Sequence, residues 1–90
     1  MIRWHIIIHG RVQGVGFRAF TQQHAKMHNI KGSVQNKLNG TVEIDAQGKK
    51  KDMRSFISAI KKGTPFAKVT DIEIAEIGTL KNDQSFNIVY

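Results

Sequence analysis

The chain has 90 residues, enough for one small domain but too few for two units that each enclose a core. Fourteen Lys and Arg residues against seven Asp and Glu residues give a net charge of +7, which favours encounter with anions such as phosphorylated metabolites or nucleic acid. The chain contains no cysteine, which excludes a disulfide framework, a thiolate nucleophile and a cysteine-ligated metal centre.

The first third of the chain predicts a strand, a loop and a helix. Residues 2–9 alternate with a period of two, which is typical of a strand with one face against a core. Residues 10–16 hold three glycines and are predicted to form a loop. Residues 17–28 contain neither Gly nor Pro, and Asn29 suits the left-handed residue that ends a helix. One face of this helix carries Phe17, Thr21, Ala25 and His28.

The middle of the chain predicts a hairpin followed by an amphipathic helix. Two short strands, 32–37 and 41–47, are separated by a segment containing Asn39-Gly40, a strong hairpin signal. The helix is predicted over residues 49–62, ending at Gly63. Its apolar side chains recur at i, i+3, i+4 and i+7, which indicates a core face rather than a cofactor surface: Met53, Phe56, Ile57 and Ile60.

The last third predicts two further strands, one over residues 69–77 and one carrying Phe86, Ile88 and Tyr90 at alternate positions. The order βαββαβ with a fifth, C-terminal strand and right-handed crossovers predicts an α+β fold, a ferredoxin-like sandwich with two helices on one face of an antiparallel sheet. We expect a single domain over residues 1–90. The fold alone does not define an activity, because many unrelated functions share it.

The glycine loop between the first strand and the first helix is a candidate anion site. Glycines at 14 and 16 allow a positive φ and close backbone approach, so several N–H groups can point at one anion. Arg18, in the first helical turn, opposes the helix dipole and offers a fork of donors that matches two phosphate oxygens. The loop is neither a Walker loop nor a dinucleotide fingerprint. The alternative is a flexible connection with a solvated arginine.

The residues of this loop and of the hairpin resemble the two signature stretches of acylphosphatases. The first stretch is Gly-Arg-Val-Gln-Gly-Val-Gly-Phe-Arg at 10–18, and the second comprises Gly-Ser-Val-Gln-Asn at 32–36 and Asn-Gly-Thr-Val-Glu at 39–43. Segments 63–69 and 86–88 are similar as well, so the resemblance covers nearly the whole chain. Three positions depart from the family pattern without removing a donor to phosphate: His28, Ser33 and Asn39.

The resemblance implies an enzyme that hydrolyses the carboxyl-phosphate bond of an acyl phosphate, without a metal or any other cofactor. It implies that Arg18 and Asn36 are catalytic, with the asparagine orienting the attacking water and the substrate's own phosphate accepting the proton. We expect Asn36 to lie early in the second strand, beside the first strand, and to reach the pocket of Arg18. The resemblance assigns phosphate binding to the loop backbone and the arginine, namely Val12, Gln13, Gly14, Val15, Gly16, Phe17 and Arg18.

The expected partners are a small acyl phosphate and inorganic phosphate, the latter as product and competitive inhibitor. The acyl group is left open, with acetyl, carbamoyl and glycerate-derived phosphates as candidates. No long apolar face remains after the core is assigned, which predicts a monomer. The longest early apolar run, three isoleucines at 6–8, is far too short for a signal peptide or a membrane span, which predicts a cytoplasmic protein with no membrane partner.

Two other functions compete with hydrolysis. A non-catalytic phosphate sensor would keep the fold without turnover, although the presence of both Arg18 and Asn36 argues against it. An RNA-binding module can have the same element order, but the Gly-Phe-Arg segment at 16–18 enters a helix and the third strand offers no aromatic platform for bases. We therefore expect no nucleic-acid partner.

The histidines are not predicted to bind metal. His24 and His28 have the i, i+4 spacing of zinc ligands, but the glutamate of a metalloprotease helix is missing, so we expect one to pack beside the core and the other to be solvated. His5 and His9 lie about 13 Å apart along the predicted strand and are interpreted as separate surface groups. The lysine run at 49–51 is interpreted as a solvated face with at most a weak role in attracting an anionic substrate.

Overall fold

The elements of the protein follow the predicted order. The computed structural model describes residues 1–78 and 80–90. Each predicted strand and helix is present within two residues of its expected ends, and Asn29 has the expected left-handed conformation with φ 56°. The elements are β1 (Ile2–Arg11), α1 (Phe17–Met27), β2 (Lys31–Asn36), β3 (Val42–Gly48), α2 (Lys50–Lys62), β4 (Lys68–Ile77) and β5 (Phe86–Val89).

The five strands form one sheet in the order β4-β1-β3-β2-β5, which confirms the ferredoxin-like fold with a fifth strand. A row of aliphatic side chains crosses the whole sheet on the face that the helices cover, because the residues are paired in register: Ile74, Ile6, Ile44, Val34 and Ile88. The predicted apolar face of α2 is buried against this row, and so are three residues of the predicted face of α1. The core therefore lies between the sheet and the two helices.

The first strand continues further than predicted, so the expectation that the loop begins at Gly10 is wrong. The pairing of β1 with β4 shifts register between His9 and Gly10, and the strand then runs on to Arg11. Gly10 has φ 126°, and a Cβ atom there would lie 1.9 Å from the carbonyl oxygen of Lys68. This glycine therefore serves a β-bulge with close backbone contact, not a loop.

The fifth strand pairs with β2 in parallel, whereas the other three pairings are antiparallel. Because β4 and β5 lie at opposite edges of the sheet, the connection between them, of which the structure describes residues 78 and 80–85, must cross from one edge to the other. Lys81 fixes this crossing to β3, since its backbone N–H donates to Gln47 and its carbonyl accepts from Gln47, at 2.9 and 2.8 Å.

Arg3 anchors the same crossing from β1. Its side chain lies on the sheet face away from the helices, is only 3% exposed, and donates to Asp45 at 2.7 Å and to Asp83 at 3.1 Å. It also donates to Gln47 at 2.9 Å. Burial lowers the pKa of Arg3, but the hydrogen bonds and charges of the two carboxylates outweigh this effect and raise the pKa above its usual value. The guanidinium thus stays charged and joins β1, β3 and the crossing segment.

We expect Arg3→Met to lower the free energy of unfolding by about 3 kcal/mol, because the substitution leaves two carboxylates without their cation. Urea denaturation measures this loss, with Arg11→Met as the matched control, since Arg11 is exposed at the end of the same strand. Equal stability of the two variants would show that the buried arginine does not hold the crossing segment in place.

A second polar cluster on the open face closes the β2-β3 hairpin. Glu43 contacts the Nε2 atom of His5 at 2.6 Å and the Nζ atom of Lys37 at 3.2 Å. The hydrogen bond with His5 lowers the pKa of Glu43 most strongly, burial opposes it, and Lys37 lowers the pKa further, so the pKa of this carboxyl lies below its usual range. Because Lys37 directly follows Asn36, the ion pair also steadies the end of β2.

This pKa shift predicts a pH-dependent contribution to stability. A carboxyl group whose pKa is lower in the folded than in the unfolded state stabilises the fold above the unfolded pKa and loses that effect as the pH falls through the folded pKa. We expect Glu43→Gln to cost up to about 1 kcal/mol at pH 7, with the difference from wild type shrinking below about pH 4.5, the ordinary value for Glu. Urea denaturation between pH 3 and 7, beside the exposed control Glu76→Gln, checks this; a constant difference would contradict it.

Candidate active site

The glycine loop leads directly into the N-terminus of α1, whose first N–H groups are not capped by a side chain. Gly14 and Gly16 have φ angles of 73° and 75°, as predicted from their lack of a Cβ atom. Gly16 is the N-cap of α1, no side chain bonds to the cap position, and the first turn holds no acidic residue. The first amides of an α-helix have no acceptor within the helix, so those of Phe17, Arg18 and Ala19 are free to bind an anion.

Two residues of the loop fix its position instead of facing the site. The Gln13 side-chain amide donates to the carbonyl oxygens of Lys37 and Thr41 at 2.7 and 2.9 Å, which ties the loop to both sides of the turn between β2 and β3. Val15 is half-buried and packs against the core cluster. The loop and the hairpin, distant in sequence, are thereby held in fixed relation.

A concave cavity of about 150 Å³ lies where this loop, α1, β2 and β5 meet. The cavity brings Arg18 and Asn36 together, as the sequence analysis expects. Of the seven residues assigned to phosphate binding, five line the cavity, whereas Gln13 and Val15 do not. The lining consists of Val12, Gly14, Gly16, Phe17, Arg18, Ala19, Asn36, Ile88 and Tyr90.

Asn36 reaches the cavity by a different route from the one expected. It is the last residue of β2, not an early one, and β2 lies between β3 and β5 and is not adjacent to β1. Its register opposite Val42 places it on the helix-facing side of the sheet. The Oδ1 atom of Asn36 is buried and has no hydrogen-bond partner among the residues that the structure describes. An unsatisfied buried acceptor is costly, and such groups cluster at functional sites.

Arg18 is held at the mouth of the cavity by an aromatic ring. Its guanidinium carbon lies 4.7 Å from the centroid of the Tyr90 ring, which is a cation–π contact worth about 0.5–1 kcal/mol at an exposed position. The contact leaves the N–H donors in the guanidinium plane free for a ligand. No acidic side chain among the described residues pairs with this arginine.

Sequence reasoning missed three residues of the cavity: Ala19, Ile88 and Tyr90. Ala19 follows Arg18 on the first turn of α1, so the expected anion site at the helix N-terminus is enough to predict that it lies in the cavity. The sequence pattern of Ile88 and Tyr90 indicates only the alternating residues of a strand. Their place in the site depends on the parallel pairing of β5 with β2, which no local pattern reveals.

The four histidines of the chain do not line this cavity. His5 and His9 are 39% and 37% exposed, and each contacts its own glutamate, Glu43 and Glu73. The rings of His24 and His28 stack with centroids 6.3 Å apart, and both residues are half-buried. Within residues 1–78 and 80–90, no three His, Asp or Glu side chains are grouped as metal ligands.

The outer face of β3 does not offer a surface for stacking bases. It carries Glu43, Asp45 and Gln47, two of which are acidic and all of which are engaged in polar contacts.

None of the helices in the part of the chain that the structure describes has the length and apolar character needed to cross a membrane.

Comparison with known proteins identifies the family of the chain. The family model for acylphosphatases matches residues 4–88. Over the full length of both chains, the chain is 49% identical to the acylphosphatase of Bacillus licheniformis. The crystal structure of acylphosphatase from Bacillus subtilis superimposes with a TM-score of 0.97 at 47% identity, covering all of both chains. An acylphosphatase structure from Coxiella burnetii gives a TM-score of 0.92 at 27% identity, covering 98% of this chain and 92% of the other.

These matches define the class of protein: a small α+β hydrolase. The chain belongs to the acylphosphatase family, and it is an enzyme of acyl phosphate hydrolysis. The interpretation as a non-catalytic module is therefore wrong.

Proposed function

We propose that the chain cleaves the carboxyl-phosphate bond of acyl phosphates without a metal ion, with Arg18 and loop amides binding the phosphoryl group and Asn36 orienting the attacking water. The observation that carries this proposal is the single cavity shared by an uncapped helix N-terminus, an unpaired guanidinium and a buried unpartnered amide oxygen. These groups are complementary to an anion and a water molecule held side by side.

The phosphoryl group binds at the N-terminus of α1. Backbone N–H groups from Gly14 to Ala19 approach its oxygens, because both left-handed glycines leave space for close contact. Arg18 adds a full positive charge through a planar fork of donors. In phosphoryl transfer the charge of the transition state is spread over three equatorial oxygens. Donors already fixed around these oxygens stabilise that charge without the reorganisation that solvent water would need.

The water is positioned by Asn36. Its free Oδ1 atom accepts a hydrogen bond from the water and thereby aims a lone pair of the water oxygen at phosphorus. An amide oxygen does not take up the proton at neutral pH, and the side chains lining the cavity include no carboxylate or imidazole. The proton passes to an oxygen of the substrate's own phosphoryl group.

The bond changes balance without a further reactant. The bond from the water oxygen to phosphorus forms, the bond from phosphorus to the acyl oxygen breaks, and its electron pair stays on the departing carboxylate. Carboxyl groups ionise near pH 4, so the leaving group needs no general acid. The products are a carboxylate and inorganic phosphate, and the latter retains every contact made by the phosphoryl group, so it inhibits competitively.

Titration of the isotopically labelled chain with inorganic phosphate in excess EDTA tests the binding half of this proposal. The backbone amide resonances of residues 14–19 are expected to shift together and to saturate with one dissociation constant that equals the inhibition constant. Sulfate serves as a matched tetrahedral anion, and acetate serves as a control anion that lacks the tetrahedral shape. Shifts confined to the helix surface around 49–54, with none in the loop, would contradict the proposed site.

We also propose that the protein acts as a monomer in the cytoplasm. The absence of cysteine fits a reducing compartment, because no disulfide is needed for the fold. Light scattering at concentrations used for the assay is expected to give the mass of one chain. A dimer at those concentrations would overturn the monomer assignment without affecting the assignment of Arg18 and Asn36.

A further inference from the structure

The entire net charge of the protein lies on its helical layer. The two helices, with Lys49 before α2, carry eight of the fourteen Lys and Arg residues and a single acidic residue, Asp52. The rest of the chain carries six basic and six acidic residues and is neutral overall. Arg18 belongs to the active site, and the other seven cations form what we term the helical face: Lys26, Lys49, Lys50, Lys51, Arg54, Lys61 and Lys62.

Among the described residues, the cations of the helical face have no acidic partners, whereas the ion pairs lie elsewhere in the molecule. All five ion pairs among the described residues involve β1, β2, β3, β4 or the crossing segment. Every side chain of the helical face is exposed. Seven unpaired like charges on one surface repel one another and produce a potential of several kT, so the surface favours a ligand that carries a matching row of negative charges.

The spacing along α2 fits a chain of phosphates. Helical periodicity places Lys51, Ser55, Ser58 and Lys62 on one line and Lys50, Arg54 and Lys61 on the next. Each line extends about 16–17 Å, at 1.5 Å per residue, which matches the axial rise of about five phosphates along one strand of a stacked nucleic-acid helix, at 3.4 Å each. Lysine, arginine and serine side chains are the usual donors to backbone phosphates.

A groove between the two helices provides a binding site for such a strand. Its volume is about 320 Å³, and Ser55, Ser58 and Lys62 line it on the α2 side while His24 lines it on the α1 side. The lining contains no acidic residue. A lipid surface fits less well, because interfacial helices insert apolar side chains, and the large apolar residues of α2 are all buried in the core.

We propose that the helical face is a second binding surface that takes the phosphate backbone of a nucleic-acid strand, without reading its bases. This surface is separate from the sheet face on which our expectation of no nucleic-acid partner rested. It is also independent of hydrolysis at Arg18, since it requires neither the cavity nor a bound acyl phosphate. The exposed side chains along the two lines on α2 are lysine, arginine and serine and include no aromatic group, so binding is electrostatic and independent of sequence.

Fluorescence anisotropy of a labelled 20-nucleotide oligothymidine tests the proposal. With about five phosphate contacts, the affinity is expected to fall about 100-fold between 50 and 200 mM salt. The triple variant Lys51→Gln/Arg54→Gln/Lys62→Gln is expected to bind at least 10-fold more weakly at 50 mM salt, with the slope of log K against log salt reduced by about 2. A second oligonucleotide of mixed sequence is expected to bind with the same affinity.

The matched control is Lys31→Gln/Lys68→Gln/Lys81→Gln, which removes the same charge from outside the helices and is expected to keep wild-type affinity. Both triple variants are expected to hydrolyse acyl phosphate at the wild-type rate, which shows that they fold and separates this surface from the active site. Equal weakening by both variants would overturn the proposal in favour of net charge alone. Absence of oligonucleotide binding, or tighter binding to phosphatidylglycerol vesicles than to the oligonucleotide, would overturn it as well.

Discussion

Arg18→Ala is expected to lower kcat for acyl phosphate hydrolysis by about a thousandfold or more, which is the range seen when an arginine that stabilises phosphoryl-transfer charge is removed. Inhibition by inorganic phosphate is expected to disappear with it, because the same guanidinium binds substrate and product. The physical reason is that, among the described residues that line the cavity, Arg18 alone has a side chain with a full positive charge. The amides of the helix N-terminus remain but carry only partial charges.

The fold is expected to survive this substitution. A cation in the first turn of a helix opposes the dipole, so its removal gains a few tenths of a kcal/mol and offsets the lost contact with the Tyr90 ring. Arg54→Ala is the matched control, since Arg54 is an exposed arginine on the other helix. Wild-type turnover by a folded Arg18→Ala variant would remove this residue from the mechanism. Arg18→Lys separates charge from shape, because a lysine lacks the planar fork.

Asn36→Ala is expected to lower kcat by about a hundredfold or more, because a water that is no longer aimed at phosphorus rarely attacks in line. The inhibition constant for phosphate is expected to stay within a few-fold of wild type, since the loop and Arg18 are untouched. Steady-state kinetics with phosphate as inhibitor measure both quantities in one experiment. A collapse of phosphate affinity with modest loss of kcat would make Asn36 a binding residue.

Stability provides a second readout for Asn36. Its Oδ1 atom already lacks a partner in the folded state, so truncation removes an unsatisfied acceptor and is expected to leave the thermal midpoint unchanged or to raise it. A purely structural asparagine would do the opposite. Gln35→Ala is the matched control because this neighbour, half-buried, faces the other side of the sheet, and it is expected to retain turnover. A strongly destabilised Asn36→Ala variant would contradict the proposed role.

Local sequence patterns predict most of the fold because each element of this protein has a clear signature. The alternation at 2–9, the Asn39-Gly40 turn and the apolar periodicity of α2 depend on neighbours a few residues away. The bulge at Gly10 could not be predicted, since its cause is the carbonyl of Lys68, which approaches from a strand 58 residues later. The crossing over the open face, with Arg3 beneath it, likewise requires knowledge of the strand order.

The shared position of the two central residues of the candidate site could be predicted because they lie within recognisable stretches of sequence. Arg18 and Asn36 follow from the glycine loop and from the resemblance to acylphosphatases, and they share one cavity. The role of Gln13 as a tie to the hairpin depends on the packing of the loop against two backbone carbonyls, which no spacing encodes. Tyr90 enters the site only because β5 runs parallel to β2.

The most direct test of the mechanism is the rate of benzoyl phosphate hydrolysis in excess EDTA, measured for wild type, Arg18→Ala and Asn36→Ala prepared identically. The account predicts full wild-type turnover that added Mg²⁺ or Zn²⁺ does not increase, and loss of turnover in both variants. Loss of wild-type activity in EDTA, with recovery on adding one of these metals, would contradict a reaction in which Arg18 and backbone amides supply the positive charge at the phosphoryl group.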